Sequence, residues 1–308
     1  PNIYQNSIVW HGSDGQNTSI QVHDIDTGLD YVVVTDQFSS PTSPDIFGDI
    51  VIWSEWRYDT SDIFIRNLTS DEETVLTGSI PDRDEVSPSI FNDTVVWQSM
   101  SHETYTTNIY LCNLTSGETI AITPITQDKS DEFPSIYDNF VVFQRMDMTN
   151  YTYDIMLYSI DTGETIVLTP DTPSTNEDFP DIYGDKVVWS GQNPDSGTTD
   201  IYHYNITTGE TNLLTPDTPD TSQYLPSVYE NRVVWQQEDP ETGYFDVYMI
   251  TLGIEKPPLV AEFGVNRTSG GIPLAVRFSD QSLGEASNWL WDFGDGENSR
   301  EKNPEHTY

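Results

Sequence analysis

The sequence predicts an all-β chain whose larger part is a six-bladed β-propeller, and three observations carry that prediction. A ten-residue phrase, PDIYGDKVVW from Pro180, recurs as PNIYQNSIVW from Pro1, PDIFGDIVIW from Pro44, PSIFNDTVVW from Pro88, PSIYDNFVVF from Pro134 and PSVYENRVVW from Pro226. The copies are spaced 43 to 46 residues apart, the length of a four-stranded propeller blade. The segments between turn signals alternate apolar and polar residues with the period of two expected of strands.

The fifth copy shows the order of parts. PDIY is a first strand, with proline at the strand start where no ladder donor is needed. Gly184-Asp185 is a two-residue turn, matched by Gly48-Asp49, Asn92-Asp93, Asp138-Asn139 and Glu230-Asn231. Gly, Asn and Asp best tolerate the positive φ that such turns require. KVVWS is the second strand, and DIYHYNI, Asp200 to Ile206, is the third. TTGE then turns the chain on Gly209, and ETNLLT is the fourth. Only the sixth copy lacks a fourth strand: FDVYMITL runs into Gly253 and Pro257-Pro258. A ring closed by sequence-distant strands would take that strand from residues upstream of Pro1. Trp10, Trp53, Trp97, Phe143, Trp189 and Trp235 share one position on the second strand. Large aromatics there are expected to fill the wedges between blades, since their presence in every copy favours packing over a sugar platform. The lone Cys112 aligns with Arg66, Tyr158 and Tyr204, which reads as an ordinary strand position and excludes an intrachain disulfide or a cysteine zinc site.

After residue 257 the repeat gives way to PPLVAEF, GGIPLAVRFSDQS, NWLWDFGDGENS and NPEHTY. These segments resemble a polycystic-kidney-disease (PKD) domain, a small immunoglobulin-like β-sandwich. The resemblance rests on Phe263, Gly271, Pro273, Val276, Phe278, Asp280, Ser282, the WDFGDG run Trp291 to Gly296, Asn303, Pro304, His306 and Tyr308. It implies that Trp291 is a core residue, that FGDG is a tight turn, and that the domain stops short of its final hairpin. The expected organisation is a propeller over 1–252, a linker over 253–258 and an incomplete PKD domain over 259–308. Together the repeats and this module resemble archaeal surface-layer-type proteins, in which TolB-like propeller repeats precede PKD domains. The copies read IYGD or IFND where TolB-like repeats usually read SPDG, which places the chain in a divergent branch. That resemblance implies an extracellular cell-envelope protein with structural, adhesive or protective roles. Its partners would be other envelope proteins or glycans, or further copies in a layer, sheath or filament.

Composition narrows the classes further. With 12 Lys and Arg against 51 Asp and Glu, the net charge of -39 repels nucleic acid and anionic membranes and attracts cations. No apolar run approaches the ~20 residues of a membrane span. The short turns gather at one end of the predicted propeller and the long loops at the other. Ser190 to Thr199, Gln236 to Tyr244 and Thr169 to Phe179 are the longest, and ligands are expected there. Glu85, Asp131, Glu132, Glu177 and Asp178 precede first strands at that end, a candidate site for Ca²⁺, which needs six to eight oxygens; no cofactor is otherwise required. The alternative for these acids is a set of solvated loop charges. Candidate N-glycosylation sequons stand at Asn17, Asn67, Asn92, Asn113, Asn150, Asn205 and Asn266, though Asn67, Asn113 and Asn205 also suit turn geometry.

No GxSxG elbow, HExxH helix or phosphate-binding glycine loop occurs, and His11, His23, His102, His203 and His306 are dispersed. The expectation is therefore a protein that is not an enzyme. A carbohydrate- or peptide-binding module acting through the long loops is the second reading, and a polysaccharide lyase or glycosidase the third.

Overall fold

Each copy of the repeat folds into one antiparallel sheet. A computed structural model describes residues 1–36, 39–57, 59–78, 82–170, 176–193, 197–215, 221–239, 242–253, 261–282 and 289–308. They divide into two units, Pro1–Thr251 and Leu252–Tyr308. The described residues contain strands and turns with no helix, and so no helix long and apolar enough to cross a membrane.

In the first unit the first sheet holds Asn2–Tyr4, Ser7–Ser13, Thr18–Asp24 and Leu29–Asp36. The second holds Ser40–Phe47, Ile50–Arg57, Thr60–Asn67 and Glu73–Val75, and the third Arg83–Phe91, Thr94–Ser101, Thr107–Asn113 and Thr119–Ala121. The fourth holds Lys129–Tyr137, Phe140–Asp147, Thr152–Ser159 and Thr165–Val167, and the fifth Glu177–Tyr183, Lys186–Gln192, Thr199–Asn205 and Glu210–Leu213. The sixth has three strands, Gln223–Tyr229, Arg232–Glu238 and Phe245–Thr251. Every sheet meanders in chain order, and none of them pairs with another. The closure strand expected for the sixth sheet is not found among the described residues.

Local chemistry sets these sheets. The first residue of the first hairpin turn has positive φ in every copy, from +49° at Gln5 to +63° at Gly184. The turn after the third strand hydrogen-bonds back to the first turn: Leu68 N donates to Asp49 O at 2.8 Å, Leu114 N to Asp93 O at 2.7 Å and Ile206 N to Asp185 O at 2.7 Å. The two short turns therefore sit at one end of each sheet, as the strand order predicts. At the other end the first strand bulges. Ser43, Ser87, Phe133, Phe179 and Leu225, each just before the repeat proline, have φ of +49° to +55°. The ladder register shifts across all five of these residues, as between Glu132 and Ser135. A bulge adds one residue and bends the strand without breaking the sheet.

The core lies between successive sheets. Trp53 of the second sheet packs on Val9 and Ile20 of the first. Trp97 packs on Ile52 and Ile63 of the second, Phe143 on Val96 and Ile109 of the third, and Trp189 on Val142 and Ile155 of the fourth. Each second-strand aromatic thus fills the wedge against the preceding sheet, which accounts for its recurrence. A threonine after the fourth strand clasps the third: Thr77, Thr123, Thr169 and Thr215 accept from the amides of Ile63, Ile109, Ile155 and Ile201 at 2.9 to 3.0 Å. Those four isoleucines and Ile20 are fully buried. Val247, the same position in the sixth sheet, has neither a clasp nor a following wedge and is 75% exposed.

In the second unit Phe263–Val265, Ala275–Asp280 and Glu305–Thr307 form one sheet, and Trp291–Asp292 pairs with Asn298–Ser299. Trp291 is half-buried and meets Phe263 and Phe278, each with ring centroids 5.6 Å away. Its Nε1 donates to Glu301 O at 2.8 Å. Gly294 and Gly296 have φ of +82° and +98°, so the FGDG run is the tight turn its sequence implies. The linker placed at 253–258 lies outside the described residues except for Gly253.

Replacing Trp189 by Ala is expected to cost about 3–5 kcal/mol in urea unfolding, because the wedge on Val142 and Ile155 collapses only partly. Val247→Ala on the uncovered sheet is expected to stay within about 0.5 kcal/mol of the parent. Equal losses at the two positions would refute the wedge account.

Candidate functional site

The five acids expected to converge on a cation take different environments in the folded strands. Glu85 is buried and accepts from Trp97 Nε1 at 2.6 Å and Ser99 Oγ at 2.8 Å, and burial pushes its carboxyl up to about 6. Asp131 is 1% exposed and held by both Arg145 Nε at 2.6 Å and Nη2 at 3.1 Å. Glu177 is buried at the start of the fifth sheet's first strand. Glu132 and Asp178 are half-buried. Burial raises both, and the charge of Asp131 adds to the shift of Glu132 while that of Glu132 adds to the shift of Asp178. Burial first, and then the charges of Glu132 and Asp178, raise the Tyr153 hydroxyl. Among the described residues no group of three or more His, Cys, Asp or Glu side chains is arranged to hold a metal ion. Parts of the long loops, 171–175, 194–196 and 240–241, lie outside the described residues.

The sequons differ in what their amides do. Asn67, Asn113 and Asn205 accept turn amides on Oδ1, from Ser70, Ser116 and Thr208 at 2.8 Å. Asn113 and Asn205 also donate Nδ2 to Asp93 and Asp185, and Asn205 is 3% exposed. Asn92, Asn150 and Asn266 are exposed, and Asn17 is half-buried beside Asp14. His203 is buried on a third strand, and burial lowers its pKa, which leaves it neutral.

A different site emerges from the first strands themselves. They line an open cavity of about 780 Å³ whose wall carries residues from all six sheets and extends to Ile8 of the first sheet and to Val234, Trp235, Gln236 and Val247 of the sixth. In the copies from Pro44 to Pro226, alternation buries the proline and the Ile or Val and turns the other two residues to the cavity, whereas Pro1 and Ile3 of the first copy are exposed. One layer of the wall is then Asn2, Asp45, Ser89, Ser135, Asp181 and Ser227, and the next is Tyr4, Phe47, Phe91, Tyr137, Tyr183 and Tyr229. Hydrogen bonds stitch the polar layer from sheet to sheet. Asn2 Nδ2 donates to Pro44 O at 3.1 Å, and Ser89 Oγ and Ile90 N donate to Asp45 Oδ2 at 3.1 and 2.8 Å. Asp181 accepts from Ser135 Oγ at 2.8 Å on one side and from Ser227 Oγ at 2.8 Å and Val228 N at 2.9 Å on the other. Burial raises Asp45 to about 6, against its donors and with a contribution from the charge of Asp181. Burial raises Asp181 as well.

The aromatic layer is continuous. Centroids from Tyr4 through Phe47, Phe91, Tyr137 and Tyr183 to Tyr229 are 4.3, 5.0, 4.5, 4.6 and 4.8 Å apart. Burial, with the neighbouring Tyr137 and Tyr229, pushes the Tyr183 hydroxyl up to about 12. Trp235 lies on the same wall, and its Nε1 is buried without a hydrogen-bond partner. Trp53 and Trp97 give that proton to Glu55 and Glu85, whereas Gln223, at the position of Glu85, is engaged by Thr215 and Thr221. Reading the repeated phrase as turn and packing alone missed this wall. Its signal was present in the invariably polar second residue and the invariably aromatic fourth.

Comparison with known proteins agrees with this architecture. Residues 255–308 match the model of a PKD domain. No curated protein matches the chain. Solved structures similar to it are β-propeller proteins, which shows the fold alone at these identities. TolB from Acinetobacter baumannii is 15% identical with a TM-score of 0.54 over 79% of this chain and 63% of TolB, so the chain spans less than two thirds of that relative. An oligogalacturonate lyase in complex with manganese is 13% identical, TM-score 0.59, over 80% of this chain and 71% of the lyase. The propeller domain of the Trilobed protease from Pyrococcus furiosus, described as having an open velcro topology, is 12% identical, TM-score 0.58, over 97% and 93%. These neighbours overturn the expectation that the chain is not an enzyme. A lyase and a protease are built on the same architecture, so missing motifs of other folds gave no ground for that exclusion.

Because Glu85 and Asp45 have folded pKa values near 6, above the ordinary carboxylate range, the native state binds their protons more tightly than the unfolded chain. Stability from these groups is present at low pH and is lost as pH rises through 6. The melting temperature is therefore expected to rise as the buffer is taken from pH 7.5 to 5; a fall over that range would contradict the assignment.

Proposed function

We propose that this chain belongs to an extracellular cell-surface protein in which a six-bladed propeller is a rigid contact scaffold beside a PKD module. The observation that carries the reading is the PKD match over 255–308, directly after the propeller-like unit, since PKD domains are typical of extracellular or surface proteins. The six successive sheets support the blade count, and their stitching at the cavity and in the wedges supports rigidity. The net charge of -39 suits an exposed, soluble surface that rejects polyanions. In this reading the ends of the sheets opposite the short turns make the contacts with envelope proteins or glycans. The short-turn ends carry the exposed sequon at Asn92. Assembly into a layer, the finer expectation from the family resemblance, rests on that resemblance.

The reading is tested on cells that make the natural full-length protein. A membrane-impermeant amine label applied to intact cells is expected to modify the protein, and added protease to release propeller peptides. Protection from both reagents until the cells are lysed would refute a surface location.

A further inference from the structure

We infer that the cavity lined by the first strands is a receptor for an organic cation that carries an ammonium or guanidinium group. At about 780 Å³ it has the size of a small-ligand site. Its wall carries Asp45 and Asp181 and no Lys, Arg or His side chain. The hydroxyl protons nearest the carboxylates are already committed. Ser89 gives its proton to Asp45, and Ser135 and Ser227 give theirs to Asp181. The serine oxygens therefore keep lone pairs for an incoming group, and the polar layer acts chiefly as an acceptor. An ammonium, with three donors and no acceptor, or a guanidinium, with five donors, complements such a wall.

Two further observations point the same way. The neighbouring layer is an unbroken run of six aromatic rings with centroids 4.3 to 5.0 Å apart, and aromatic faces attract cations. The net charge of -39 draws cations towards the protein from solution. An acidic sugar would meet two carboxylates with no countercharge. The hydrogen bonds of Asp45 and Asp181 also join sheets, so a purely structural clamp is the outcome that the experiment must separate.

The experiment is calorimetric titration of the full chain with Nα-acetyl-lysine methylamide, the arginine and norleucine counterparts, spermidine, a neutral oligosaccharide and CaCl₂. The lysine or arginine compound is expected to bind saturably, with norleucine at least about tenfold weaker, equivalent to about 1.4 kcal/mol. The titratable side chains on the wall are Asp45, Asp181, Tyr4, Tyr137, Tyr183 and Tyr229, and only the two carboxyls change charge below neutral pH. Binding is therefore expected to weaken as pH falls from 7.5 to 5. Asp45→Asn should weaken every cation. If Asp45→Asn fails to fold, the wild-type pH profile and the norleucine comparison decide. Binding of norleucine equal to lysine, preference for calcium or the oligosaccharide, or no response to any cation would overturn the inference.

Discussion

The structure depends on a single constraint: no sheet in the first unit can bury its own faces. A sheet of four short strands has two sides, one covered by the sheet before it in the chain and the other by the sheet after it. Trp53, Trp97, Phe143 and Trp189 answer that constraint by reaching back onto the aliphatic residues of the sheet before. The fully buried Ile20, Ile63, Ile109, Ile155 and Ile201 are the receiving half of the same contact. Stability of this kind passes from neighbour to neighbour, as in other repeat architectures. Val247, the corresponding residue of the sixth sheet, has no such cover among the described residues and is exposed.

The acidity of the chain is partly internal. With 51 acids and 12 basic residues, few carboxylates can find a cationic partner. Glu85 takes an indole and a serine proton, and Asp45 and Asp181 take serine protons and amides from adjacent sheets. Asp131 and Glu55 are exceptions, because Arg145 lies across the ladder from Asp131 and Arg57 donates to Glu55. Buried carboxylates with neutral donors keep part of their desolvation cost, which is why burial heads the causes of the upward shifts of Asp45 and Glu85.

Much of this was legible in the residues. The spacing of the repeat gave the sheets, the Gly-Asp and Asn-Asp pairs gave the turns, and the recurring tryptophan gave the wedge. WDFGDG located a second domain with its tight turn. For the candidate cation site, sequence proximity to the first strand does not reveal which way a side chain points. Glu85, for example, turns inward to Trp97. The cavity was under-read for the opposite reason. A residue type shared by all copies looks structural, yet identical positions in successive sheets converge on one space, so six ordinary residues compose a wall. Nor could the sequence show that Gln223 would leave the Trp235 proton without an acceptor, since that depends on its bonds with Thr215 and Thr221.

The bulges before the prolines have an evolutionary consequence. Phe133, Phe179 and Leu225 hold the same left-handed backbone, and Pro134, Pro180 and Pro226 resume the ladder behind them. Whatever length the preceding loop has, the chain re-enters its sheet in the same phase, with Ser135, Asp181 or Ser227 on the cavity wall. Loops can then gain or lose residues without shifting the interior. The repeat is in this sense a modular chassis: its outer segments are free to diversify under selection for new contacts, while the inner framework is inherited unchanged.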